Sequence, residues 1–298
     1  MRLKINILDK LIVSAILFCV TFFSDAKTAL IVVAHGSPSQ KWNAPALMLE
    51  ARLDSMDIPG IDYVRVALME YSQPDVYSIF ADCERENIDS ALVFPLFIAP
   101  SSHSEDDLPN ILGVKYDSEV RKALEDEGAR LVRTNIHITL APTLSSGEVI
   151  KKSMLDRIRS LSQNPEDEAI LLLAHGDPFR MGYWDSLLEE TGKYLKENTG
   201  IELVESKLIQ MGYSLADDIR PLAQEAAKSK KRIILQGIYL SSSISDMARG
   251  GTQTLKDALG LGSETELVIS GMGILPASCD DVADWIAEIT AQWRGAQQ

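Results

Sequence analysis

The stretch Ala29-Leu30-Ile31-Val32-Val33-Ala34-His35-Gly36-Ser37-Pro38 recurs 140 residues later as Ala169-Ile170-Leu171-Leu172-Leu173-Ala174-His175-Gly176-Asp177-Pro178. Each copy is an apolar run that delivers a histidine, a glycine, a small polar residue and a proline. Apolar runs without alternation mark strands of a parallel sheet covered on both faces. The chain holds four histidines in 298 residues, so two at equivalent places imply an internal duplication.

Outward from these runs, short apolar segments alternate with amphipathic ones. In the first half the expected strands are 29–34, 63–69, 91–98 and 131–138, with helices near 44–56, 74–86, 107–127 and 146–161. In the second half the strands are 169–174, 202–209, 232–240 and 266–270, with helices near 184–198, 215–228, 246–259 and 279–293. This alternation predicts βαβ units with right-handed crossovers. The polar segment Ser162-Gln163-Asn164-Pro165-Glu166-Asp167 reads as the linker. The expected architecture is α/β: two similar doubly wound parallel-sheet domains, 27–163 and 164–298. Ligands of such sheets bind beyond the C-terminal ends of the strands, where His35 and His175 fall.

Residues 1–26 read differently. Arg2, Lys4 and Lys10 precede the apolar stretch Leu11–Phe23, and Ser24-Asp25-Ala26 supplies small residues for cleavage. This is the pattern of a secretory signal peptide cut after Ala26, which predicts an exported protein, periplasmic or secreted, without a stable membrane span. The competing reading is an uncleaved anchor, although 13 apolar residues fall short of the roughly 20 that cross a bilayer. The whole chain carries 29 Lys and Arg against 43 Asp and Glu. So acidic a surface argues against a nucleic-acid partner. After cleavage two cysteines remain, Cys83 and Cys279, in opposite halves. They form no disulfide framework and no Cys-x-x-Cys.

Three side chains in the first half end successive strands: His35, Glu70 in Ala67-Leu68-Met69-Glu70-Tyr71-Ser72-Gln73-Pro74, and His103 in Phe97-Ile98-Ala99-Pro100-Ser101-Ser102-His103. Two imidazoles and a carboxylate at one sheet edge suit a borderline divalent metal and equally suit proton transfer near neutral pH. Each alone has an ordinary alternative, a turn or capping histidine or a surface carboxylate. His137 lies inside an expected strand and reads as a core or sheet-face histidine.

Taken in order, Leu-Ile-Val-Val-Ala-His-Gly-Ser with Asn43, Ala-Leu-Met-Glu-Tyr-Ser-Gln-Pro, and Phe-Pro-Leu-Phe-Ile-Ala-Pro-Ser-Ser-His-Ser-Glu-Asp-Asp-Leu-Pro resemble the sirohydrochlorin chelatase family. These are class II chelatases related to the cobalt- and iron-inserting enzymes of cobalamin and siroheme synthesis. The resemblance is best over 29–145 and weaker over 169–295. It implies a tetrapyrrole in a cleft between two α/β domains and a divalent metal substrate, Co2+ or Fe2+, with no further cofactor. It implies that His35 is proton acceptor and metal ligand, that His103 is the second histidine ligand, and that Glu70 assists metal delivery or pyrrole deprotonation. Ile98, Ala99, Pro100, Ser101 and Ser102 would line the macrocycle, with His175 facing it from the second half.

The second half departs from that pattern. Met211 is read opposite Glu70 and Ser245 opposite His103, poor partners for a Co2+ or Fe2+ site. One competent site is therefore expected, in the N-terminal half. Arg180, Tyr183 and Trp184 are read either as contacts to an acidic macrocycle or as ordinary helix-start packing. The alternative to a chelatase is a non-enzymatic periplasmic carrier of haem, another tetrapyrrole or metal. A histidine phosphatase is disfavoured because alanine, not arginine, precedes each His-Gly, and no Gly-x-Ser-x-Gly elbow is present.

Overall fold

The computed structural model describes residues 26–209, 214–242, 244–248 and 250–297. The apolar stretch Leu11–Phe23 and Met211 lie outside the described residues. The first half runs β1 (Thr28–Ala34), α1 (Gln40–Asp54), β2 (Tyr63–Leu68), α2 (Val76–Arg85), β3 (Ser90–Pro95), a π-helical turn (His103–Asp107), α3 (Leu108–Ile111), α4 (Ser118–Asp126), β4 (His137–Leu140) and α5 (Val149–Leu161). The second runs β5 (Glu168–Ala174), α6 (Met181–Thr199), β6 (Leu203–Leu208), α7 (Leu215–Ala227), β7 (Arg232–Gly237), α8 (Ile244–Met247), α9 (Gly251–Leu259), β8 (Glu266–Ile269) and α10 (Ile274–Gly295). Among these residues no helix is long and apolar enough to cross a membrane.

The strands form two parallel four-stranded sheets, ordered β2-β1-β3-β4 and β6-β5-β7-β8. Identical order and matching register (Ala34 beside Leu68, Ala174 beside Leu208) establish the duplicated fold. The unbroken apolar strands follow from burial on both faces. Ala29, Ile31 and Val33 face an outer layer with Ile79 and Phe80 of α2 and Leu124 of α4. Leu30 and Val32 face a central layer that also receives Ile170 and Leu172 of β5. Helices α1, α5, α6 and α10 fill this central layer, and Phe94 of β3 meets Trp285 of α10 edge to face at 5.6 Å. The strands divide at the linker, whereas the central core belongs to both halves.

Several expectations change. The fourth strand is His137–Leu140, not 131–138, because the Val132 amide bonds the Ile111 carbonyl instead of the sheet. The helix expected over 107–127 is interrupted at Gly113 (φ +72°), and Asp117 caps a new start by accepting from the Glu119 and Val120 amides. His137 opens β4 beside Ser90 and is exposed at the N-terminal end of the sheet, far from a core position. Cys83 is buried, Cys279 half-buried, and both are free thiols.

The same end of the second sheet carries a buried ion pair. Arg232 of β7 sits between Glu168 of β5 and Glu266 of β8 in register, with an Nη1–Oε1 distance of 2.9 Å to Glu168. Burial opposes ionisation of Glu168. Hydrogen bonds from Ser162 Oγ, the Gln163 amide and Arg232 outweigh it and hold the carboxyl below its usual range. A depressed folded pKa gives stability that is present above the unfolded value, about 4.3, and lost as pH falls through the folded one. Glu168→Gln should cost about 2 kcal/mol at neutral pH in urea unfolding, by stripping the buried Arg232 guanidinium of one of its two carboxylates, with Glu266 at 2.9 Å remaining. The variant's stability should also fall less than the parent's on acidification below pH 4.

Candidate functional site

The order β2-β1-β3 places the ends of β1 and β3 on either side of the point where strand order reverses, the crevice position of doubly wound sheets. The chain leaves β1 through Gly36 at φ +91°, where a Cβ would lie 2.2 Å from the Glu70 carbonyl oxygen. The Glu70 amide donates to the His35 carbonyl at 2.8 Å. Glycine is therefore required at position 36, and its absent side chain lets the loop bearing Glu70 close against His35. Gly176 repeats the left-handed turn at φ +74°.

His35, Glu70 and His103 converge, with one ligand atom from each lying within 4.8 Å of the others. His35 Nε2 stands 3.9 Å from Glu70 Oε2, and His103 Nδ1 stands 4.0 Å from Glu70 Oε1. The two imidazoles meet edge to face at 4.7 Å. All three side chains are partly exposed, so the cluster opens to solvent on one side. His35 Nδ1 lies 2.9 Å from the Gly36 carbonyl. Donation there leaves Nε2 as the free lone pair, aimed toward Glu70. His103 Nδ1 lies 2.7 Å from Asp107 Oδ2. That hydrogen bond raises the His103 pKa despite burial, and Glu70 and Asp177 add to the rise. A carboxylate behind a ligating imidazole orients it and increases its basicity.

His175 occupies the corresponding strand end of the second half. Its Nδ1 lies 2.6 Å from the Gly176 carbonyl, and its ring lies 5.0 Å from Trp184 and 6.2 Å from Tyr239. Its edge is open to solvent, but surrounding protein displaces enough water to lower its pKa, and His103 and His35 lower it further. Ser245 lies in α8 after β7, as His103 lies after β3. The Ile209 amide bonds the Ala174 carbonyl as the Met69 amide bonds that of Ala34. Counting onward, Gln210 rather than Met211 is the sequence counterpart of Glu70.

The stretch 98–102 divides. Ile98 and Ala99 are buried in the central core and Ser101 is buried in hydrogen bonds with Ser104, while Pro100 and Ser102 are partly exposed. Trp184 is buried, Tyr183 is exposed, and Arg180 pairs with Asp106 at 3.1 Å. Three groups at the site went unread in the sequence: Asp107, Asp177 and Tyr71. Asp107 lies four residues after His103, a helical spacing that is a usable signal. Asp177 joins the first half only through tertiary contact. Tyr71 holds a left-handed φ of 63°, its ring 6.0 Å from His35, and the Glu70 carboxylate raises its phenol pKa.

Residues 29–161 match the CbiX family model. A sirohydrochlorin cobaltochelatase of Methanococcus maripaludis is 29% identical over 86 residues, 29% of this chain and 58% of that protein. One of Saccharolobus solfataricus is 22% identical over 129 residues, 43% of this chain and 91% of that protein. Among solved structures, SirB from Bacillus subtilis with Fe3+ superposes with a TM-score of 0.65 at 14% identity, covering 90% of this chain and 98% of SirB. Residues 29–161 are thus similar to the CbiX/SirB-like class II chelatases, and the two parallel sheets share the fold of SirB.

Proposed function

We propose that this chain is a metal chelatase that inserts Co2+ or Fe2+ into sirohydrochlorin or a closely related tetrapyrrole held between its two halves. The convergence of His35, Glu70 and His103 carries this reading. Ligand atoms around a tetrahedral ion at about 2.1 Å stand about 3.4 Å apart, so small side-chain shifts bring the three onto one ion. Two imidazoles and a carboxylate suit a borderline divalent cation. The half-open setting leaves one side for the macrocycle. Trp42, Phe179, Met181 and Tyr183, all exposed, follow His35 and His175 by a few residues and offer apolar surface at this end of the sheets.

Insertion replaces two pyrrole N–H protons by one divalent ion. His103 and His35 hold the ion through Nε2, with Asp107 and the Gly36 carbonyl fixing the opposite nitrogens. As the ion passes to the ring nitrogens, the Nε2 lone pair of His35 is freed and takes one proton. Glu70, next to both rings, takes the other. Export to the periplasm or beyond belongs to the same proposal and rests on the pattern of residues 1–26.

The test is absorbance-monitored insertion of Co2+, or Fe2+ under anaerobic conditions, into sirohydrochlorin by the purified protein. The parent should exceed the uncatalysed rate, and His35→Ala and His103→Ala should each lower it by about 100-fold. No rate above background with either ion would overturn the enzymatic reading; tight tetrapyrrole binding without insertion would make the protein a carrier. Amino-terminal sequencing of the exported form should begin at Lys27, and a chain beginning at Met1 would refute cleavage.

A further inference from the structure

The loop after His175 reaches out of its own half and grips the segment that carries His103. Asp177 is 7% exposed. Its Oδ2 accepts from the Ser102 amide and from Ser102 Oγ, both at 2.9 Å. Its Oδ1 accepts from the Phe179 amide at 2.8 Å, which ties the carboxylate to its own loop. Three residues on, Arg180 Nη2 meets Asp106 Oδ2 at 3.1 Å. His103 lies between the two gripped residues, Ser102 and Asp106.

We propose that Asp177 is a positioning residue: the second half holds the His103 segment in the geometry that lets His103 join His35 and Glu70. The carboxylate acts at the Ser102 amide, at the start of the π-helical turn, where hydrogen-bonding N–H groups have no partner within the turn. A charged acceptor there is stronger than a neutral one, and its burial shields it from competing water. The equivalent position in the first half is Ser37, whose carbonyl accepts from Ser72 Oγ at 2.7 Å and from Asn43 Nδ2 at 2.8 Å. That residue steadies the loop bearing Glu70. Position 37 and its repeat, position 177, thus each secure a different ligand-bearing loop of one site.

The inference rests on the reading of His35, Glu70 and His103 as a metal site, so its test has one arm without metal. Co2+ titration of the tetrapyrrole-free protein, followed by d–d absorbance, compares the parent with Asp177→Ala, Asp177→Asn and Arg52→Ala. Arg52 joins the halves elsewhere, at 2.6 Å from Asp280 of α10. Asp177→Ala should weaken Co2+ binding about 10-fold, Asp177→Asn, which keeps one acceptor oxygen and turns the other into an amide donor, should recover part of it, and Arg52→Ala should leave it unchanged. Unchanged affinity in Asp177→Ala, or an equal loss in Arg52→Ala, overturns the proposal. In metal-free protein, the His103 ring C–H resonances, assigned with His103→Ala, should shift in Asp177→Ala and not in Arg52→Ala. If the parent binds no Co2+, the metal-site reading fails, and this NMR arm alone decides the clamp: unmoved resonances refute it.

Discussion

At the end of β1 the chain turns through Gly36, and the space a side chain would fill is taken by the Glu70 carbonyl. This contact requires a left-handed residue without a Cβ directly after His35. It also requires β2 to run parallel beside β1 in the observed register, so that Glu70 arrives level with Gly36. Pairing of β3 on the other side of β1 brings the Ser101–Asp107 segment to the same edge. The three clustered side chains come from residues separated by 35 and 33 positions. They meet because sheet register fixes three strand ends, and none of the three is held by local sequence alone.

That dependence explains what could be read in advance. Runs such as Ala29–Ala34 and Ala169–Ala174 were legible because both faces of each strand are buried, leaving no polar alternation to confuse the pattern. His35, Glu70 and His103 were legible as strand-end residues because the topology rule places them there. Elements stabilised by single tertiary bonds were not. Leu131-Val132 has strand-like composition, yet the Ile111 carbonyl takes the Val132 amide. Ile98 and Ala99 open the expected lining segment but pack inward, since the chain leaves β3 toward the core before turning to His103. Asp177 carries no sequence mark of its bond to Ser102, 75 residues away.

The two histidines of the repeat show how one motif acquires two roles. Both rings use Nδ1 against the following glycine carbonyl, so both present Nε2. His35 faces a carboxylate and a second imidazole. His175 faces Trp184 and Tyr239, whose indole N–H and phenol O–H are buried without partners among the described residues. Protein on that side lowers the His175 pKa while Asp107 raises that of His103. The crevice thus sets one imidazole beside carboxylates and another beside aromatic rings.

The shared core bears on how such a crevice opens. Leu30 and Val32 of β1 and Ile170 and Leu172 of β5 lie fully buried in one central layer with Phe94 and Ile286. Separating the halves as rigid bodies would expose this layer, at about 25 cal/mol for each Å2 of apolar surface uncovered. A few such side chains cost more than thermal motion supplies. The halves therefore keep a fixed spacing, and adjustment falls to the loops beyond the strands. Those loops hold Gly36, Tyr71, Ser102 and Asp177, which surround the cluster of His35, Glu70 and His103. A flat macrocycle of the proposed kind would then enter by loop movement at an edge already open, with the sheets as its frame.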